Sequence, residues 1–217
     1  MKINPSTLLN VVLGAGLVAV SAHLAAGKHP SEPASDKPTT EADTADAVYQ
    51  NIMSRTSVRA YADRPVEKEK TDKLLHAGMA APTAMNRQPW HFVVVDDRQL
   101  LNAIAKATPN AGMAKNAPLA IIVCGDSDKF AKGEAREMWI QDASAATENI
   151  LLQAHAMGLG AVWTGTFPAE NRIKAISSLL GMPDNLIPFC TIVIGYPKSD
   201  VAPKDKWDEQ NVSHNHF

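Results

Sequence analysis

Short apolar runs of strand length, separated by longer stretches with helical periodicity, predict an α+β (α/β sandwich) fold with helices packed on a sheet. Three observations carry this. Trp90 to Val95, Pro118 to Cys124 and Phe189 to Tyr196 are apolar and rich in β-branched or aromatic residues, as strands are. The segments between them place apolar residues three and four apart, as amphipathic helices do. Finally, 217 residues that are 45% hydrophobic can bury one sizeable core, so one main domain is expected.

Taken in order, a first helix is expected over Ala47 to Arg55. A second runs from Glu67 to Ala80, after Pro65, with Leu74, Leu75 and Met79 on its apolar side. The strand Trp90 to Val95 ends at Asp96-Asp97. Leu100 to Ala107 reads as a short helix, and Pro118 to Cys124 as the next strand. Arg136 to Met157 is the longest helical stretch, rich in alanine and apolar on more than one side. Such a helix is buried, either in a large core or between subunits. Gly158 and Gly160 end it, and Ala161-Val162-Trp163 begins a turn or short strand. Asn171 to Leu180 is a further helix, stopped by Gly181 and Pro183, before the last strand, Phe189 to Tyr196.

The N-terminal region differs from all of this. Ile3 to Gly27 contains no Asp, Glu, Lys or Arg, and Leu8 to Val20 is apolar almost throughout, behind Lys2. This is the layout of a secretory signal, with Val20-Ser21-Ala22 as a small-residue cleavage site. It also approaches the roughly 20 apolar residues that cross a bilayer. Residues 1–27 are thus expected to be a signal peptide or an N-terminal membrane anchor. Membrane attachment through residues 3–27 and a cell-envelope (periplasmic) location follow as expectations. Residues 28–46 read as a flexible acidic linker, broken by Pro30, Pro33 and Pro38. Residues 47–217 then form the folded domain with a C-terminal tail.

A formal net charge of -2, with no Lys/Arg run, gives no field for nucleic acid, which is excluded as a partner. The two cysteines, Cys124 and Cys190, lie in apolar runs. They are read as buried thiols rather than as a disulfide between neighbouring strands. His214 and His216 lack a carboxylate or thiolate at matching spacing, so no metal site is expected.

Three polar segments could carry chemistry. Arg55-Thr56-Ser57-Val58-Arg59 offers two guanidinium groups and hydroxyls, a set that matches phosphate oxygens but also suits a solvated turn. Pro82-Thr83-Ala84-Met85-Asn86-Arg87-Gln88-Pro89 brackets a polar loop between two prolines. Its amides could read a flat heterocycle, or the loop could be a structural turn. Gly158 to Pro168 is rich in small residues that let backbone approach a ligand. It follows a helix and lacks the G-x-G-x-x-G spacing, so it is not a dinucleotide fingerprint.

In this order and spacing, the three segments resemble the nitroreductase family of FMN flavoproteins. The Pro-Thr-Ala-Met-Asn-x-Gln-Pro-Trp-His-Phe block carries most of the likeness, and Val193-Ile194-Gly195-Tyr196-Pro197 with a basic pair beyond it completes the set. The resemblance spans about Val48 to Val212. It implies a central, mainly antiparallel sheet flanked by helices, in an intertwined homodimer with FMN at the subunit interface. Arg55, Thr56, Ser57 and Arg59 would hold the FMN phosphate, ribityl chain and pyrimidine edge, with Lys204 and Lys206 completing the phosphate site. Pro82, Thr83, Ala84, Met85 and Asn86 would come from the partner subunit, with Gln88 close by. Asn110 would bond the pyrimidine ring. Trp163, Thr164 and Gly165 would lie near the flavin, the last two placing backbone groups near N5. No residue acts as a nucleophile or acid–base catalyst, because the flavin carries the chemistry. The implied function is an NAD(P)H-dependent reductase of nitroaromatics, quinones or similar small acceptors. Within the same likeness, a flavin-dependent dehalogenase, a flavin reductase and a non-catalytic flavin-binding protein are the alternatives.

Overall fold

The computed structural model describes residues 40–217. The first helix, α1, spans Glu41–Ser54. It begins at Glu41 rather than Ala47, so the stretch expected to be linker is helical from Glu41 onward. Glu41 and Asp43 stand in its first turn, where the helix dipole favours acids, and Ala42, Ala45 and Ala47 are strong helix formers. Next come α2 (Lys68–Met79), β1 (Trp90–Val95), α3 (Arg98–Ala107), β2 (Leu119–Asp126), α4 (Met138–Ala156), β3 (Gly160–Gly165), α5 (Glu170–Leu180) and β4 (Leu186–Gly195). A 3-10 stretch over Pro109–Asn116 joins α3 to β2.

The sheet has the order β1-β2-β4-β3, and every pair of neighbours is antiparallel. Its central strands β2 and β4 are buried on both sides, which is why they read as unbroken apolar runs. Alternate residues of each strand feed two cores. Leu119, Ile121, Val123, Cys190, Ile192 and Ile194 pack with Leu74 of α2 and with Trp139, Ile150 and Ala154 of α4. Ala120, Ile122, Cys124, Val162 and Val193 face Leu101 and Ile104 of α3 and Ile176 of α5. The architecture is therefore a sandwich of helix, sheet and helix, as expected.

This alternation settles the cysteines. Cys124 belongs to one core and Cys190 to the other, on opposite faces of the sheet, and both are free. Burial pushes each thiol up to about 12, so neither is a reactive thiolate.

The alanine-rich helix α4 buries one stripe within the chain itself. Trp139, Ala143, Ala146, Ile150 and Ala154 form its buried stripe against the sheet. On its other side, Asn149 Nδ2 donates to the Ala77 carbonyl of α2 at 3.0 Å, and Asn51 Nδ2 of α1 donates to the Leu152 carbonyl at 3.1 Å. The uncovered apolar surface lies on α1 instead, which has no buried residue and exposes Val48, Tyr49, Ile52 and Met53.

The envelope location is corrected. Among the described residues no helix is long and apolar enough to cross a membrane. The apolar segment 3–27, on which that expectation stood, lies outside the described residues, as do residues 28–39 of the linker.

Candidate functional site

The segment Arg55 to Arg59 leaves α1 and runs along the edge of β3. Ser57 forms a parallel bridge with Ala161, and the Val58 N–H donates to the Ala161 carbonyl at 3.0 Å. The approach is so close that a Cβ on Gly160 would lie 2.6 Å from Val58 Cβ, so only glycine fits there. Tyr61 locks the far end of the segment. Its buried hydroxyl lies 2.7 Å from the Val58 carbonyl and 3.0 Å from the Val193 carbonyl, and its one proton is shared between them. Burial raises its pKa above the ordinary phenol value, against the opposing field of Arg59. Arg55 is half-buried and ion-paired through Nε to Glu148 Oε1 of α4 at 3.3 Å, while Arg59 is exposed.

Beside Arg55, Ser54 Oγ donates to the Gln50 carbonyl at 2.6 Å and lies 2.8 Å from His155 Nε2. The hydroxyl proton is committed to Gln50, so the imidazole supplies the N–H at Nε2. Burial and then the Arg55 charge hold the His155 pKa below its usual value.

At the C-terminal end of β3, Thr164 Oγ1 donates to the Thr191 carbonyl at 2.8 Å. Trp163 meets Phe189 edge-on, with ring centroids 5.5 Å apart. The Gly165 carbonyl accepts two hydrogen bonds, from Asn110 Nδ2 at 2.8 Å and from Arg172 Nη1 at 3.1 Å. Asn110 Oδ1 is buried and has no partner among the described residues. A buried carboxamide oxygen left unpaired costs about 1–3 kcal/mol, so this atom is an acceptor awaiting a donor.

The loop from Pro82 to Gln88 has a different setting. Met85, Asn86 and Gln88 all have left-handed backbone, with φ of 53°, 51° and 50°. Only asparagine adopts that region cheaply. Two hydrogen bonds hold the loop from outside, Ala84 N–H to Asp142 Oδ1 at 2.9 Å and Arg87 Nε to the Lys129 carbonyl at 2.9 Å, and one closes it from within, Gln88 N–H to Thr83 Oγ1 at 3.2 Å. Pro82, Met85, Asn86 and Gln88 are exposed.

The fold therefore gathers Arg55, Thr56, Ser57 and Arg59 with Trp163, Thr164, Gly165 and Asn110 along one strand edge. Among the described residues, no hydrogen bond or bridge joins Pro82 to Gln88 to this group. Lys204 and Lys206 stand on an exposed tail after β4, and among the described residues neither ammonium has a hydrogen-bond or ion-pair partner. Three residues escaped the sequence reading: Arg172, Glu148 and Asp142. Arg172 left a signal, because a cation in the first turn of a helix opposes the dipole. So did Asp142, an acid set among apolar helix positions.

Comparison with known proteins places this arrangement. The model of the Nitroreductase family matches residues 52–111 and 102–196. A Methanothermobacter thermautotrophicus relative, provisionally named NADH dehydrogenase/NAD(P)H nitroreductase, is 44% identical over 165 residues, covering 76% of this chain and 85% of its own. A crystal structure under the same provisional name, from Parabacteroides distasonis, is 45% identical with a TM-score of 0.75. The match covers 79% of this chain and 99% of that one. A Desulfovibrio desulfuricans structure in complex with FMN is 30% identical with a TM-score of 0.67, over 78% of this chain and 97% of that one. On a family match across the sheet and all three motif segments, the chain belongs to the nitroreductase family, and it is an enzyme of that FMN-dependent oxidoreductase class.

Proposed function

We propose that this chain passes electrons from NAD(P)H to nitroaromatic, quinone or similar small acceptors, with FMN bound along the β3 edge. The observation that carries this is the unpaired, buried Asn110 Oδ1 beside Gly165, at the end of the strand edge that Arg55 to Arg59 line. An imide N–H, such as that of the flavin pyrimidine, is the donor this acceptor lacks. The residues present fit the cofactor from one end to the other. Arg55 and Ser57, joined by Lys204 and Lys206 from the tail, suit a phosphate. Exposed Arg59 would favour negative charge on the reduced pyrimidine. Backbone groups of Thr164 and Gly165 are read as lying near N5.

The loop from Pro82 to Asn86 is read as serving the site of a second copy. Its Pro82, Met85 and Asn86 are exposed, its Met85 and Asn86 have left-handed backbone, and no hydrogen bond among the described residues ties it to the β3 edge. The homodimer and its intertwining belong to this proposal, with the apolar face of α1 as supporting surface.

Bound FMN would supply the hydride and electron-transfer chemistry between reduced donor and acceptor. The protein's part is to orient the ring through Asn110 and the β3 backbone, and to offset charge through Arg55 and Arg59. Donor and acceptor would take turns at one position, which makes the kinetics ping-pong.

Purified protein mixed with FMN is expected to bind it, seen by the visible spectrum and by quenching of flavin fluorescence. It should then oxidise NADH or NADPH in the presence of a nitroaromatic. Asn110→Ala is expected to weaken FMN binding by about 1 kcal/mol, roughly fivefold in Kd. A protein that takes up no FMN overturns the proposal. One that binds FMN but consumes no donor is a flavin-binding protein instead.

A further inference from the structure

Arg172 stands in the first turn of α5, where the helix dipole disfavours a cation. It is half-buried and has no ion pair with any carboxylate among the described residues. What it does have is the Gly165 carbonyl, to which Nη1 donates at 3.1 Å. That carbonyl already accepts Asn110 Nδ2 at 2.8 Å, so both of its lone pairs are used. The N–H of the same peptide, on Thr166, donates to the Phe189 carbonyl at 3.1 Å. The Gly165–Thr166 peptide is thus held at both ends and cannot turn.

This has a consequence for Asn110. A carboxamide can sit either way round, and only its nitrogen can face a carbonyl oxygen favourably. A fixed Gly165 carbonyl therefore dictates that Nδ2 points to it and that Oδ1 remains as the buried, unpaired acceptor. Arg172 fixes the carbonyl, and the carbonyl fixes the amide.

We propose that Arg172 is a positioning residue for the flavin, acting through Gly165 to hold Asn110 with Oδ1 offered to the imide N–H of the pyrimidine ring. This rests on the flavin reading above, and it gives a role to a residue outside the three motif segments. Arg172 itself need not touch the ring.

The test compares two ligands on the apo-protein by fluorescence titration: FMN, and FMN methylated on its imide nitrogen, which has no N–H for Asn110. Wild-type protein is expected to prefer FMN, and Asn110→Ala to abolish the preference. Arg172→Gln is expected to weaken FMN by about threefold to tenfold while changing the methylated ligand less, so the preference shrinks. Arg172→Lys, which keeps the charge but not the planar fork, should fall between wild type and Arg172→Gln. It carries the comparison alone if the glutamine variant does not fold. An arginine with a merely structural role would weaken both ligands equally and leave their ratio unchanged. That result, or unchanged FMN affinity, overturns the proposal while leaving the flavin reading intact. Wild-type protein that binds neither ligand overturns the flavin reading, and this proposal falls with it.

Discussion

Asp142 occupies the buried stripe of α4 beside Trp139, Ala143 and Ala146, at 5% exposure. A carboxylate in such a place must find a partner. It finds the Ala84 N–H, at the head of a loop that carries three left-handed non-glycine residues. Each of those costs on the order of 1 kcal/mol or more, so the loop keeps its shape only if something outside it insists. Asp142→Ala should leave the Ala84 N–H without its acceptor and destabilise the fold by about 1–3 kcal/mol. Asp142→Asn, which keeps an oxygen there, should stay closer to wild type. Urea unfolding distinguishes them, and equal stability of the two variants would remove Asp142 from this role. Residue types were legible in the sequence at this scale, but partners were not. Arg55 was singled out for its guanidinium, yet nothing local announces Glu148, because that ion pair forms only when α1 lies on α4. Asn110 was reached through a family likeness. Its unpaired oxygen became visible only once β3 was in place beside it.

Elements were easier to read than their ends. The helices and the strands β1, β2 and β4 fall where apolar periodicity put them, because each buries a face large enough to leave a pattern. The segment after Gly158 read as a turn or short strand, and it is β3, a six-residue strand that carries one edge of the site. Its small residues look like a turn in sequence, whereas their reason is the close pass of Val58 over Gly160. The start of α1 resembles a linker in sequence, because its first residues are acidic and bury nothing. That weakly buried helix gives a pH prediction. His155 of α4 meets Ser54 of α1, with Arg55 nearby and Glu148 paired to it. Its pKa is lowered in the fold, so the unfolded chain takes up the proton first as pH falls. Stability is therefore expected to decline as pH drops through the ordinary imidazole value of about 6.5. Melting temperatures across that range, compared with those of His155→Gln, isolate the contribution. An identical pH profile in the two proteins would exclude it.

At the scale of the whole molecule, the two cores account for the chain's own folding but leave one face unexplained. Val48, Tyr49, Ile52 and Met53 lie at spacings of one and four along α1, on a single side of the helix, and each is about half exposed. The tail adds Trp207, which is 72% exposed, and Phe217. The apolar length of α4 suits a core or a subunit contact alike; its buried stripe packs on α2 and the sheet of its own chain, and α1 bonds to it. The face of α1 and the tail thus offers exposed apolar surface to a second copy. If the proposed dimer forms there, Ile52→Asp places a charge in a desolvated contact and should shift the protein towards monomer. If Pro82 to Asn86 of a second copy line the flavin site, as proposed, FMN affinity should fall with dimer content. Dilution of the wild type should then weaken FMN binding as well. Sedimentation velocity with parallel flavin titration reads both quantities on one sample. A variant that is monomeric yet binds FMN as tightly as wild type would show that one chain completes its own site.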